Sequence, residues 1–196
     1  MIVIGLTGSI GMGKTTAASM LKKMGCAVYD SDVVARRALE PRGDAFEEVA
    51  LTFPECWDKK KHVIKRDVLA EIIFTDPVRK QILEDILHPL VVQGQYDFIR
   101  AQQRLGKKIV VLDIPLLFET NAQGRVDYTI CVYAPYPIQR RRVLARAGMT
   151  EEKFRAILNT QMPNAQKCAL ADFTVPTGLG MAYTYATLRK ILARIK

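Results

Sequence analysis

The sequence predicts an α/β fold with a doubly wound, mostly parallel sheet of five strands and helices on both faces. Three observations support this prediction. Short runs of β-branched and apolar residues alternate with segments of helical periodicity. A glycine-rich segment lies directly between the first such run and a helical segment. The 196 residues are 49% hydrophobic and 25% charged, which suits one globular unit with a sizeable core.

The first strand is predicted in the run MIVIGL, and the apolar spacing after residue 14 predicts a helix that stops at Gly25. A second strand at 26–29 ends in acidic residues and leads into a helix that starts near Ser31 and is broken by EPRGD. Further strands are predicted at 107–115, 126–135 and 171–176, with helices at 136–147, at 150–161 and from 178 to the end.

Residues 44–105 have a helical and irregular pattern that is too long for a simple crossover between strands. We interpret this stretch as an inserted, helical substrate-binding subdomain. Pro89 lies inside its last helical segment and predicts that the helix is kinked or divided there, because proline lacks the backbone N–H.

Gly8–Thr15 fits the pattern G-x-x-x-x-G-K-[ST] without a mismatch and follows a predicted strand. Glycines let backbone N–H groups approach phosphate oxygens, and the following helix adds its positive end. Lys14 supplies a charge for the β- and γ-phosphates, and Thr15 supplies a hydroxyl for Mg²⁺. We call Gly8–Thr15 the phosphate loop.

Acidic residues follow two other predicted strands. Asp30 and Asp32 follow the second strand, where a carboxylate could orient an acceptor hydroxyl and accept its proton. For Asp30 we favour a helix N-cap instead, and for Asp32 the capping and catalytic roles both stay open. Asp113 ends the strand IVVLD and is a candidate Mg²⁺ ligand, with Glu119 as the alternative.

The formal net charge is +9, and the densest basic runs are DKKKH (58–62) and QRRRVLAR (139–146). Such a charge fits nucleic acid or small polyanions such as nucleotides, although 58–62 is more simply a solvated face. Arg142 and Arg146 share a helix face and can stabilise transition-state charge on transferring phosphates. Aromatic residues do not alternate with the basic ones, which argues against base stacking.

Four scattered cysteines without a C-x-x-C pair predict neither a disulfide framework nor a zinc site, and they favour a reducing cytoplasm. The sequence has no 18-residue apolar run and no signal-peptide pattern at residue 1. His62 and His88 lack metal-ligand partners at suitable spacing.

Taken together, these segments resemble the dephospho-coenzyme A kinase family over nearly the whole chain. The resemblance rests on IGLTGSIGMGKTT, YDSDVVARRAL, RDVLAEIIF, LHPLV, DIPLLFE, RVLARAGMTEEKFRAILNTQ and AQKCALADFTV. It implies ATP-dependent phosphorylation of the ribose 3′-hydroxyl of dephospho-CoA, an alcohol acceptor, in the last step of CoA synthesis. It also implies a P-loop NTPase-type core (1–43, 106–135 and 162–196), a helical CoA-binding subdomain (44–105) and a lid (136–161).

Carried over by position, the resemblance makes Asp32 the expected catalytic base, assisted by Lys14 and Arg142. Substrate-side candidates are Asp32, Arg36, His88 and Pro89. The metal candidates, Thr15 and Asp113, come from the loop and strand patterns, and Asp113 is not a fixed position of the family. The expected ATP-binding residues are Gly8, Gly11, Met12, Gly13, Lys14, Thr15, Thr16, Arg142 and Arg146. Partners are ATP, dephospho-CoA and Mg²⁺ but neither nucleic acid nor membrane, and we expect a monomer, with weak self-association left open.

Two positions depart from the family pattern. Ser9 replaces a glycine that many members have, and VPTGLG offers Thr177 and Gly178 where an Asn-x-Gly is frequent, so the adenine contacts stay open. The alternatives are another small P-loop kinase, which only the substrate region distinguishes, and a nucleotide-switch GTPase. The GTPase needs Asn-Lys-x-Asp and Asp-x-x-Gly, and neither occurs.

Overall fold

The computed structural model describes residues 1–195 and divides the chain into two compact units. The first unit comprises residues 1–29 and the chain from Ala101 onward, and the second comprises residues 30–100. The inserted unit therefore begins before the expected residue 44, because the helix that follows the second strand belongs to it.

The strands are β1 (Ile2–Thr7), β2 (Ala27–Asp30), β3 (Trp57–Asp58), β4 (Val63–Ile64), β5 (Ile109–Asp113), β6 (Tyr128–Tyr133) and β7 (Phe173–Pro176). The helices are α1 (Lys14–Lys23), α2 (Ser31–Ala38), α3 (Phe46–Thr52), α4 (Arg66–Thr75), α5 (Pro77–Arg104), α6 (Tyr136–Leu144), α7 (Glu151–Thr160), α8 (Asn164–Leu170) and α9 (Met181–Arg194).

The five-stranded sheet has the order β2-β5-β1-β6-β7, which confirms the predicted fold class. β1 pairs in parallel with β5 and with β6, and β6 pairs in parallel with β7. The carboxyl ends of these strands therefore meet at one edge, which is where ligands bind in open α/β sheets. α1 and α9 pack on one face over an apolar core. The fully buried members of this core are Ile4, Leu6, Ala17, Leu21, Val111, Ile130, Val132, Val175 and Leu188.

The second unit has its own apolar core around Phe46, Val49, Phe53 and Leu69. It contains an antiparallel hairpin of β3 and β4, which the sequence pattern did not predict because each strand has only two residues.

α5 runs through Pro89 without division, so the predicted division does not occur, while the alternative of a kink stays a prediction. Proline removes one hydrogen bond to the preceding turn. On both sides of it, however, Ile86, Leu87 and Leu90 pack against the second core, and this burial keeps the two halves in one helix.

α8 was also not predicted, since residues 164–170 were interpreted only as the approach to the last strand. Among residues 1–195, no helix is long and apolar enough to cross a membrane.

Candidate active site

The phosphate loop joins the end of β1 to α1 in a conformation that only glycine adopts easily. Gly11 and Gly13 have φ of 76° and 87°, and Gly13 is the N-cap of α1. A Cβ added at Gly8 would lie 2.5 Å from Cγ2 of Val132, and one at Gly11 would lie 2.6 Å from Cγ2 of Val143. The loop backbone therefore packs directly against its neighbours, with no room for side chains at these glycines.

Three amide side chains bind the first half of the loop. Asn164 Oδ1 accepts the Ser9 N–H at 2.9 Å, and Gln161 Oε1 accepts the Ile10 N–H at 3.0 Å. Gln139 Nε2 donates to the Ile10 carbonyl oxygen at 2.8 Å. These contacts join residues more than 120 positions apart in the chain, so they hold the loop to α6, α8 and the residue that follows α7.

Arg142 and Thr177 bind the second half of the loop. Arg142 donates to Thr177 Oγ1 at 2.9 Å, to the Thr177 carbonyl at 2.8 Å and to the Gly11 carbonyl at 3.4 Å. The Thr177 hydroxyl in turn donates to the Met12 carbonyl at 2.7 Å. Thr177 is thus a support for the loop and for Arg142, a role that its place after the last strand did not indicate.

Lys14 pairs with Asp113, the last residue of β5 and almost fully buried. The pair follows from the parallel register, in which Leu6 of β1 lies beside Asp113. Thr15 and Thr16 lie exposed in the first turn of α1. A cationic, a hydroxyl and a carboxylate group thus belong to the same sheet edge as the loop.

Glu119, the alternative to Asp113, is engaged elsewhere. Its Oε1 pairs with Lys167 Nζ at 2.8 Å and accepts the Met162 N–H at 2.9 Å. Lys167 is fully buried and also donates to the Pro115 carbonyl at 2.9 Å. Glu119 therefore connects the segment after β5 to the segment between α7 and α8.

The substrate-side candidates belong to the second unit. Asp30 Oδ1 accepts the Val33 N–H at 3.0 Å, so Asp30 caps α2 as favoured from the sequence. Asp32 is exposed in the first turn of α2, and its carbonyl accepts from Arg36 Nε at 3.2 Å. His88 and Pro89 are exposed on α5.

A cavity of about 540 Å³ lies beside the phosphate loop, with Met12, Tyr133, Tyr136, Gln139 and Cys168 among its lining residues. Since Gln139 holds the loop backbone, a molecule in this cavity would contact a residue that supports the loop.

Burial raises the pKa of Cys131, and the neighbouring Cys168, 3.5 Å away between sulfurs, raises it further. Burial also raises the pKa of Cys168, so both groups are protonated thiols near neutral pH.

Comparison with known proteins places this site in a family. A family model described as dephospho-CoA kinase matches residues 2–179. The chain belongs to the dephospho-CoA kinase family. A dephospho-CoA kinase from Mesorhizobium japonicum is 43% identical over 196 residues, which cover 100% of this chain and 98% of that protein. One from Agrobacterium fabrum is 43% identical over 195 residues, with the same coverage.

Solved structures share the fold of this chain. A crystal structure of a Thermus thermophilus protein superposes with a TM-score of 0.84 at 36% identity, covering 100% of this chain and 98% of that one. A dephospho-CoA kinase from Campylobacter jejuni has a TM-score of 0.66 at 23% identity, covering 99% and 97%, and shows the same fold. The family model and the curated relatives confirm the predicted family and kinase class.

Several residues that contact the phosphate loop or Glu119 were not predicted from the sequence. Gln139, Asn164 and Lys167 were not singled out, and Thr177 was noted only as a departure from the family pattern. Amides and a lysine carry no local pattern that reveals a partner more than 40 positions away, so a single sequence offers no signal for them. Gln161 was the exception, since it occupies a position that matches the family.

Proposed function

We propose that the protein transfers the γ-phosphoryl group of ATP to the ribose 3′-hydroxyl of dephospho-CoA, giving CoA and ADP. One observation carries the proposal: a chain of the dephospho-CoA kinase family has its phosphate loop beside the Lys14–Asp113 pair at one sheet edge. Phosphoryl transfer requires mainly positioning of the reactants and stabilisation of charge on the phosphate oxygens. At this edge, the backbone N–H groups of the phosphate loop and the Lys14 side chain can provide both.

The phosphate loop binds the ATP phosphates through its backbone N–H groups, with Lys14 on the β- and γ-phosphates. Thr15 and Asp113 offer the hydroxyl and carboxylate oxygens that Mg²⁺ prefers, so these two residues would hold the ion. The contacts of Glu119 with Lys167 and Met162 support Asp113 over Glu119. Bound Mg²⁺ would neutralise charge on the β- and γ-oxygens.

The second unit (30–100) supplies the dephospho-CoA side in this proposal. Asp32 orients the 3′-hydroxyl and accepts its proton, while Asp30 is used as the cap of α2. Arg36, His88 and Pro89 are the proposed contacts with the rest of dephospho-CoA. Their exposure in the second unit supports this assignment.

The segment 136–161 is the proposed lid, and it carries Arg142 and Arg146 toward the phosphates. The contact of Arg142 with the Gly11 carbonyl supports a place beside the loop. We further propose that the enzyme acts as a monomer in the cytoplasm, where its four free thiols stay reduced.

The test is ADP release with ATP and Mg²⁺ against dephospho-CoA, adenosine, AMP, shikimate and no acceptor. We expect turnover with dephospho-CoA alone and a product heavier by one phosphoryl group. Turnover with another acceptor would support phosphoryl transfer but contradict the proposed substrate. No turnover with any acceptor would contradict the proposed reaction.

Variants of the same enzyme test the roles. Lys14→Ala should abolish turnover while the protein stays folded by circular dichroism. Asp32→Asn should lower kcat by about 100-fold or more, because proton acceptance is worth that much in general base catalysis. Asp30→Asn is the matched control, since an amide oxygen can still cap α2. An Asp32→Asn enzyme with unchanged kcat would remove Asp32 as the base.

A further inference from the structure

The peptide of Ile10 is held from both sides by two glutamines. Gln161 Oε1 accepts the Ile10 N–H at 3.0 Å, and Gln139 Nε2 donates to the Ile10 carbonyl at 2.8 Å. Gln139 is a buried residue of α6, and Gln161 is the C-cap of α7. The 21 residues between the two glutamines (140–160) include Arg142 and Arg146.

This arrangement anchors both ends of the segment 140–160 at one residue of the phosphate loop. Ile10 lies directly before Gly11, and the glycines of the loop have no side chains to fix their own backbone. The orientation of the Ile10 peptide therefore sets the direction in which the chain enters Gly11, Met12 and Gly13. Any rotation of this peptide would break one or both glutamine contacts.

We propose that Gln139 and Gln161 are positioning residues. They hold the phosphate loop and the arginines of segment 140–160 in a fixed position relative to each other. This inference rests on the proposed function, because it assigns Arg142 and Arg146 to the phosphates. The glutamines do not contact the reacting atoms themselves. They act through the Ile10 peptide, which both the loop and the segment share.

Gln161 accepts a hydrogen bond from Ile10, whereas Gln139 donates one to it, and this difference allows a selective test. The backbone fixes which amide atom faces Ile10, since an N–H needs an acceptor and a carbonyl needs a donor. Gln161→Glu keeps an acceptor for the N–H. Gln139→Glu loses the donor and places a carboxylate against a carbonyl oxygen. Both variants add the same charge near the same peptide, so each controls for the charge of the other.

The experiment measures kcat, KM for ATP and KM for dephospho-CoA for Gln139→Glu, Gln161→Glu and the apolar isosteres Gln139→Met and Gln161→Met. We expect kcat to fall by about tenfold or more in both Met variants and in Gln139→Glu, since small misplacements of catalytic groups are costly. Gln161→Glu should recover most of the kcat that Gln161→Met loses. KM for dephospho-CoA should stay unchanged throughout, and kcat should fall by a larger factor than KM for ATP rises.

Equal losses in the two Glu variants would overturn the proposal, because charge and not bond direction would then decide. Unchanged kcat in both Met variants would overturn it as well. Thermal unfolding identifies a variant that fails to fold, and the Glu pair alone then decides the question. Turnover of the unaltered enzyme with dephospho-CoA tests the proposed function separately, and the ratio between the Glu variants can be measured with any acceptor that it uses.

Discussion

Lys167 shows what a single buried charge contributes. It is fully buried and bound by Glu119 Oε1 and the Pro115 carbonyl. Lys167→Met should destabilise the protein by about 3–5 kcal/mol, because it leaves a carboxylate without its partner in a poorly solvated place. Urea unfolding measures this loss. The double variant Lys167→Met/Glu119→Gln should recover part of it, and a single variant that loses less than about 1 kcal/mol would contradict a buried ion pair.

Arg142 has two roles, because it supports the phosphate loop and is proposed to stabilise charge during phosphoryl transfer. Arg142→Ala should lower kcat by a larger factor than it weakens ATP binding, because charge stabilisation is realised mainly in the transition state. Steady-state kinetics together with calorimetric titration of ATP separates the two effects. Arg141→Ala, which removes the adjacent exposed arginine, is the matched control and should change neither. Equal loss of kcat and affinity in Arg142→Ala would indicate ground-state binding only.

At the scale of elements, the start of α2 separates a structural carboxylate from the proposed catalytic one. Asp30 caps the helix through the Val33 N–H, whereas Asp32 is exposed in its first turn. Asp30→Ala should therefore lower the free energy of unfolding by about 1 kcal/mol. Asp32→Ala should cost less stability but much more activity. Urea unfolding and steady-state kinetics on both variants give the comparison, and a reversed order would exchange the two roles.

Elements whose own residues carry the signal were predictable from the sequence. β1, the phosphate loop and α1 follow from one apolar run, three glycines and a helical period. The β3–β4 hairpin and α8 were missed because two-residue strands and a seven-residue helix have too little periodicity to detect. The continuity of α5 at Pro89 depends on packing against the second core, which no local pattern contains.

At the scale of the whole molecule, four thiols make stability depend on pH in the alkaline range. Burial raises the pKa of Cys26, Cys56, Cys131 and Cys168 above the ordinary value of 9.0. The unfolded chain therefore loses these protons at lower pH than the folded protein does. This contribution to stability is fully present below about pH 9 and is lost as the pH rises through the folded pKa values.

The urea midpoint should accordingly fall as the pH rises above about 9. The fall should be shallower in Cys131→Ala, which lacks the thiol whose pKa is raised by burial and by the neighbouring Cys168. The two proteins differ at Cys131 alone, so only the difference between the two slopes is compared. Identical slopes would mean that burial does not raise the pKa of the Cys131 thiol in the folded protein.

Because Lys167 is completely buried, the rate at which it is chemically modified reports how often the first unit opens. An amine-reactive acylating reagent modifies exposed lysines soon after mixing, but it reaches the Lys167 side chain only when the surrounding structure opens. Lys22 and Lys23 of α1 are exposed and serve as the reference. The delay between their acylation and that of Lys167, followed by peptide mass spectrometry, would measure how often this part of the molecule opens.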